Sequence, residues 1–179
     1  MVSGSLRSAS SSSAALLAAR ELVPDDVEPV LYRGLGSLPH FNPDCDGDPL
    51  DEAVGQLRTE IHKAGAVVVS TPEYAGALPG SFKNLLDWTI GDDQPGSIYE
   101  KPVAWVNVSP RGAGGAHEEL RTVLRYAHAA IVEEACLDVP VTPAMIDESG
   151  MLTDPMARAQ IAGALSVLAE YVRSQDHKL

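Results

Sequence analysis

The chain has 179 residues, 45% hydrophobic and 21% charged, which suits one soluble globular domain, residues 1–179, with a full core. Its 25 acidic residues against 13 basic ones give a net charge of −12. No basic cluster exceeds a pair, which argues against nucleic acid as a partner, and no apolar run approaches the ~20 residues that span a bilayer. The N-terminus carries no basic segment followed by an apolar core, so a cytoplasmic location is expected. Cys45 and Cys136 lie far apart without metal spacing and are expected as free thiols.

Strand and helix patterns alternate, which predicts a parallel sheet covered by helices on both faces. A first strand is represented only by Met1-Val2-Ser3, and a first helix follows over Ser11 to Leu22. Val27 to Tyr32 reads as the second strand. A Gly-, Pro- and Asp-rich loop from Arg33 leads to a helix with Asp48 as cap and Pro49 in first position. Leu50, Val54, Leu57 and Ile61 form its apolar stripe. Ala66 to Ser70 is the third strand, Gly80 to Ile90 a helix, and Val103 to Val108 the fourth strand. A further helix carries Leu120, Val123, Leu124, Ala127 and Ile131. The fifth strand is expected within Ala135 to Val141. The last helix follows Asp154-Pro155 with Ile161, Leu165, Leu168 and Val172 on one stripe.

Two loops carry the chemistry. Gly4-Ser5-Leu6-Arg7-Ser8-Ala9-Ser10-Ser11-Ser12-Ser13 joins the first strand to its helix. Hydroxyls, one Arg and free amides at a helix N-terminus favour an anion. The Gly-Lys-Ser/Thr of a triphosphate loop is missing, so a monophosphate fits better. The second loop, Thr71-Pro72-Glu73-Tyr74-Ala75-Gly76-Ala77-Leu78-Pro79, lies between a buried strand and a helix, where α/β sheets hold ligands. Small residues at 75–77 allow backbone to approach a flat ring, and the prolines stiffen the loop.

Together these segments resemble the NAD(P)H-dependent FMN reductase family, a flavodoxin-like group that includes quinone, azo-dye and chromate reductases. The matching residues are Gly4, Ser5, Leu6, Arg7 and Ser10, then Thr71 to Trp88 nearly throughout. Ser12 and Ala75 stand where the family usually has Asn. The resemblance implies a flavodoxin-like three-layer α/β/α sandwich with a parallel five-stranded sheet in the order 2-1-3-4-5. It implies FMN as cofactor, with the phosphate on Ser5, Arg7, Ser10 and Ser12. The ring would rest on Pro72, Glu73, Tyr74, Ala75 and Gly76, and the loop with Ser109, Gly112 and Gly114 would close its other side. NADPH or NADH would deliver hydride to flavin N5, and a flavin, a quinone or a similar small acceptor would take it. No protein group need be catalytic in that scheme, so Glu73 is expected to order its loop. A homodimer or homotetramer is also implied, with Trp88 near the subunit contact and the 34–47 loop reaching over a neighbouring flavin.

Other readings compete. An electron carrier of the flavodoxin type, or a non-catalytic flavin-binding domain, fits the same fold. Lys83 and Asp87 are spaced for a local ion pair. Gly112-Ala113-Gly114-Gly115 fails the dinucleotide pattern, because His117 stands at the third glycine. Arg111 is either a contact for the nicotinamide cofactor's phosphates or a solvated loop residue. Asp44, Asp46 and Asp48 resemble half of a calcium loop, but the glycine and the downstream acid are misplaced, so calcium is rejected. His40, His62, His117, His128 and His177 share no metal spacing, so no metal site is expected. There is no Gly-x-Ser-x-Gly elbow for a hydrolase.

Overall fold

Val67-Val68-Val69-Ser70 are all buried, so this strand has no solvent-facing side. Such a strand belongs in a parallel sheet with helices over both faces. The computed structural model has that arrangement; it describes residues 1–91 and 94–176, so His177 lies outside the described residues. In chain order the elements are β1 (Val2–Ser3), α1 (Ser11–Leu22), α2 (Glu52–Lys63), β2 (Val67–Ser70) and α3 (Gly80–Asp87). Then come β3 (Pro102–Asn107), α4 (Gly114–Tyr126), β4 (Ala130–Ile131), β5 (Leu137–Asp138) and α5 (Pro155–Asp176). Every strand pairing among the described residues is parallel: β1 with β2, β2 with β3, and β3 with both β4 and β5. No helix of the described residues is long and apolar enough to cross a membrane.

Side chains alternate across the sheet. Val67, Val69, Val103 and Trp105 join Val54, Phe82, Leu86 and Leu120 from α2, α3 and α4 in one cluster. Val68, Ala104 and Val106 join Ala15, Ala18, Ile161 and Leu165 of α1 and α5 in the other. One apolar layer on each face makes the three-layer α/β/α sandwich. Each fully buried Leu, Ile or Phe contributes about 1.5–3 kcal/mol.

Several expectations need correction. The ladders run β1-β2-β3 with β4 and β5 both on β3, which is the order 1-3-4-5 of the expected strands; beside β1 the expected second strand contributes a single bridge, so the full order 2-1-3-4-5 is not confirmed. Residues 27–32, expected as the second strand, make one isolated parallel bridge, Tyr32 to Val2. Pro29 has no amide to donate, and β1 offers only two residues opposite, so no ladder propagates. The cap of α2 is Asp51 rather than Asp48, because the Asp51 carboxylate accepts the Ala53 amide at 2.9 Å. Ile131 leaves the helical stripe for β4. α4 stops at Tyr126 in a Schellman turn, with Ala129 N donating to Leu124 O and His128 at φ 55°.

Trp88 is fully buried and donates to Pro39 O at 2.8 Å, so it offers no surface for a subunit contact. Asn84 accepts from Phe41 N and donates to Pro39 O, and Phe41 packs edge-on against Trp88 at 4.9 Å. The segment 38–41 is therefore fastened to α3 of its own chain. The Lys83–Asp87 pair forms within α3 at 2.5 Å.

Candidate active site

Because β1, β2 and β3 are parallel, the loops leaving Ser3, Ser70 and Asn107 emerge at one edge of the sheet. Gly4 N donates to Ser70 O at 2.8 Å, and a Cβ on Gly4 would lie 2.2 Å from Thr71 Oγ1. Only glycine lets the first loop pass the second so closely.

The second loop turns in a hairpin. Tyr74 and Ala77 exchange backbone bonds of 3.0 and 3.1 Å, with Ala75 at φ 53° and Gly76 at φ 78°. Positive φ at both central residues is the type I′ turn, whose usual residues are Asn-Gly. Ala75 occupies the left-handed position at a cost of about 1 kcal/mol. The amides of Ala75 and Gly76 donate to no acceptor among the described residues. Tyr74 is 48% exposed beside them.

This hairpin is stitched to α4. Ala113, the residue before α4, has no side chain that can cap it. Glu73 does so from the other loop, its Oε2 accepting the Ala116 amide at 3.0 Å. In return, Glu119 Oε2 accepts the Leu78 amide at 2.7 Å. A Cβ on Gly115 would lie 2.2 Å from Gly76 O, so backbone meets backbone here.

Asn107 organises the third loop. Its Nδ2 donates to Gly112 O at 2.6 Å and to Asp138 Oδ1 at 2.7 Å, while its Oδ1 accepts from Ser109 N at 3.1 Å. Ser109 Oγ in turn accepts from Arg111 N, and Gly112 sits at φ 87°. His117 Nδ1 lies 2.9 Å from Ala113 O, so that nitrogen carries the proton; its Nε2 is buried without a partner among the described residues. Burial pushes the Cys136 thiol up to about 11, which keeps it un-ionised and unreactive.

The first loop is far less satisfied. Ser5 Oγ accepts the Arg7 amide at 3.2 Å, and Ser10 caps α1 by accepting the Ser13 amide at 3.0 Å. Ser10 Oγ also donates to Ser13 Oγ at 2.8 Å. Ser12 is buried within α1. The amides of Leu6, Ser8, Ala9, Ser11 and Ser12 donate to no acceptor among the described residues. Beside them lies a cavity of about 320 Å³ whose lining includes Ser5, Arg7 and Ser8. Ser10 and Ser12 do not line it, and it contains no Asp or Glu.

A phosphate monoester fits this donor set: free amides at a helix N-terminus, hydroxyls and an Arg without a carboxylate nearby. A flat ring fits the hairpin, whose free amides and exposed Tyr74 are carried by a rigid backbone. The residues present therefore suit FMN. The model of the NADPH-dependent FMN reductase family matches residues 1–141. The chain belongs to this family. It is an FMN-dependent NAD(P)H oxidoreductase, which favours the reductase reading over an electron carrier. An NAD(P)H-dependent FMN reductase of Pseudomonas aeruginosa is 33% identical over 173 residues, covering 96% of this chain and 93% of that protein. A quinone reductase of Pseudomonas putida is 30% identical over 161 residues, with 86% and 83% covered. The flavoenzyme NAD(P)H:(acceptor) oxidoreductase FerB of Paracoccus denitrificans superposes with a TM-score of 0.83 at 26% identity, covering 97% of this chain and 95% of that one.

The fold thus gathers Ser5, Arg7, Pro72, Glu73, Tyr74, Ala75, Gly76, Ser109 and Gly112 into three adjoining loops, with Gly114 opening α4 beside them. Ser10 and Ser12 belong to the helix start. Sequence reasoning overlooked Glu119, Asn107 and the steric role of Gly115. Asn107 had a signal, a polar residue inside the apolar run Val103-Ala104-Trp105-Val106-Asn107-Val108. Glu119 had none, since nothing local distinguishes it from its neighbour Glu118.

Proposed function

We propose that the whole chain acts as one FMN-binding domain that passes hydride from NAD(P)H to a small quinone-type acceptor through one shared site. The observation that carries this reading is the stitched junction of hairpin 73–78 with α4, beside the unsatisfied loop 4–13. When bound, FMN would supply the hydride-transfer chemistry between dinucleotide and acceptor. The chain's own part is binding and orientation. Ser5, Arg7 and the free amides of loop 4–13 hold the phosphate. The amides of Ala75 and Gly76 offer donors to the ring, and Tyr74 shields one side of it. Gly112 and Gly114 would present backbone rather than side chains to the ring, and Ser109 steadies that loop. Glu73 keeps the junction closed and moves no proton. The quinone preference draws support from the quinone reductase of Pseudomonas putida among the relatives.

Donor and acceptor using one place in turn gives parallel double-reciprocal lines when NADPH and 1,4-benzoquinone are varied. Intersecting lines would require both to bind together and would contradict the shared site. We also propose a homodimer or homotetramer in the cytoplasm. The exposed Leu6 and Tyr74 beside the site support the assembly. Light scattering at micromolar concentration is expected to give at least twice the chain mass of 18.9 kDa. A monomer there contradicts it.

A further inference from the structure

We infer that Arg33 is a second cation of a phosphomonoester clamp, facing the same cavity as Arg7. The inference rests on the reading of loop 4–13 as a phosphate site. It adds a residue that no motif marks, from a segment outside both sequence signatures.

Register puts Arg33 there. Tyr32 bridges Val2 in parallel, and Tyr32 N donates to Met1 O at 3.0 Å. The next residue, Arg33, therefore lies level with Ser3, at the sheet edge from which loop 4–13 departs. The segment after it leans on that loop, since a Cβ on Gly36 would sit 3.2 Å from Leu6 Cδ2. The cavity of about 320 Å³ is lined by Ser3, Ser5, Arg7, Ser8, Ser13 and Arg33 among its polar side chains.

Charge makes the site distinctive. The chain carries twelve more acidic than basic residues, yet no Asp or Glu lines this cavity. Arg33 stands at the boundary with the neighbouring cavity on the other side of segment 30–34, which it lines together with Asp51, Glu52 and Glu60, whereas Arg7 lines only the acid-free one. Arg58, Lys83, Arg121, Arg125, Arg158 and Arg173 are in ion pairs. Arg7 and Arg33 have no carboxylate partner among the described residues. Two arginines without a carboxylate partner that line one cavity with four serines match a dianion, and an arginine can hold two phosphate oxygens at once.

A phosphomonoester has two sources here: the 5′-phosphate of FMN and the 2′-phosphate of NADPH. The test compares wild type, Arg33→Gln, Arg33→Lys and Arg7→Gln. FMN and riboflavin binding to apoprotein are read by flavin fluorescence, and KM is measured for NADPH and NADH on the loaded enzyme. If Arg33 meets FMN, Arg33→Gln weakens FMN about tenfold and leaves riboflavin unchanged, with Arg33→Lys between. If it meets the dinucleotide, Arg33→Gln raises KM for NADPH about tenfold and leaves NADH unchanged. Either outcome supports the clamp. All four ligands within twofold of wild type in Arg33→Gln overturn it, as does an equal loss for phosphorylated and unphosphorylated ligands. If Arg7→Gln selectively weakens FMN and Arg33→Gln alters nothing, only the role of Arg33 falls. If neither substitution affects bound FMN, the phosphate reading of loop 4–13 falls with it.

Discussion

The hairpin–α4 junction and loop 4–13 meet at one sheet edge but are built on opposite principles. In the junction, Glu73 takes the Ala116 amide, Glu119 takes the Leu78 amide, and Gly115 lets one backbone touch another. In loop 4–13, five amides find no acceptor among the described residues, and Arg7 lines a cavity without acids. A site of this kind divides its labour. The closed region fixes geometry through stability, and the open region keeps its donors for a ligand. Substitutions in the first should change folding, whereas those in the second should change affinity at constant folding.

Gly115→Ala should break the junction most severely. The added Cβ would sit 2.2 Å from Gly76 O, a backbone atom that cannot swing away. A loss of about 2–3 kcal/mol is expected in urea denaturation, with FMN affinity reduced as a consequence. A variant as stable as wild type would show that the two backbones do not touch.

Glu73→Ala leaves the first turn of α4 without its carboxylate. A loss of about 1–2 kcal/mol is expected, while Glu73→Gln, which keeps an acceptor oxygen, should lose less. Turnover of the FMN-saturated Glu73→Gln enzyme should stay near wild type, because no proton passes through that carboxylate. A fall of a hundredfold or more would make Glu73 a participant in the chemistry.

Arg7→Gln sharpens the contrast from the other side. Its FMN dissociation constant should rise about tenfold, a change of about 1.4 kcal/mol, while the melting temperature of the apoprotein stays put. Apoprotein destabilised as much as Glu73→Ala would erase the proposed division between the two regions.

The smallest expected effect has the opposite sign. Ala75→Asn puts the usual residue of a type I′ turn at φ 53°, in an exposed position. It should stabilise the protein by about 0.5–1 kcal/mol. An unchanged midpoint would mean that the hairpin carries no strain at Ala75.

The two regions also differed in how far they could be read from sequence. The motif loops were legible because their residues answer local demands: small residues at 75–77 for an accessible backbone, prolines for a stiff loop, and hydroxyls at a helix start. The three-layer fold was legible from Val67–Ser70 and the alternation of elements. What escaped reading depends on partners distant in sequence. Glu119 acquires its role only when Leu78 arrives beside it. Gly115 becomes obligatory only against Gly76 O. The reduced second strand was missed because the apolar character of 27–32 outweighed Pro29, whose missing amide matters only opposite so short a β1. The end of α4 escaped because Ile131 continues the helical spacing from Ala127, while His128 takes the left-handed position that glycine usually marks.

The central claim is that this edge of the sheet holds FMN where NAD(P)H can reduce it. Anaerobic titration of FMN-loaded protein with NADPH, and separately with NADH, tests it most directly. Loss of the flavin's visible absorbance at one equivalent of dinucleotide, restored by one equivalent of 1,4-benzoquinone, is the predicted result. Bound flavin whose absorbance neither dinucleotide alters would contradict the account.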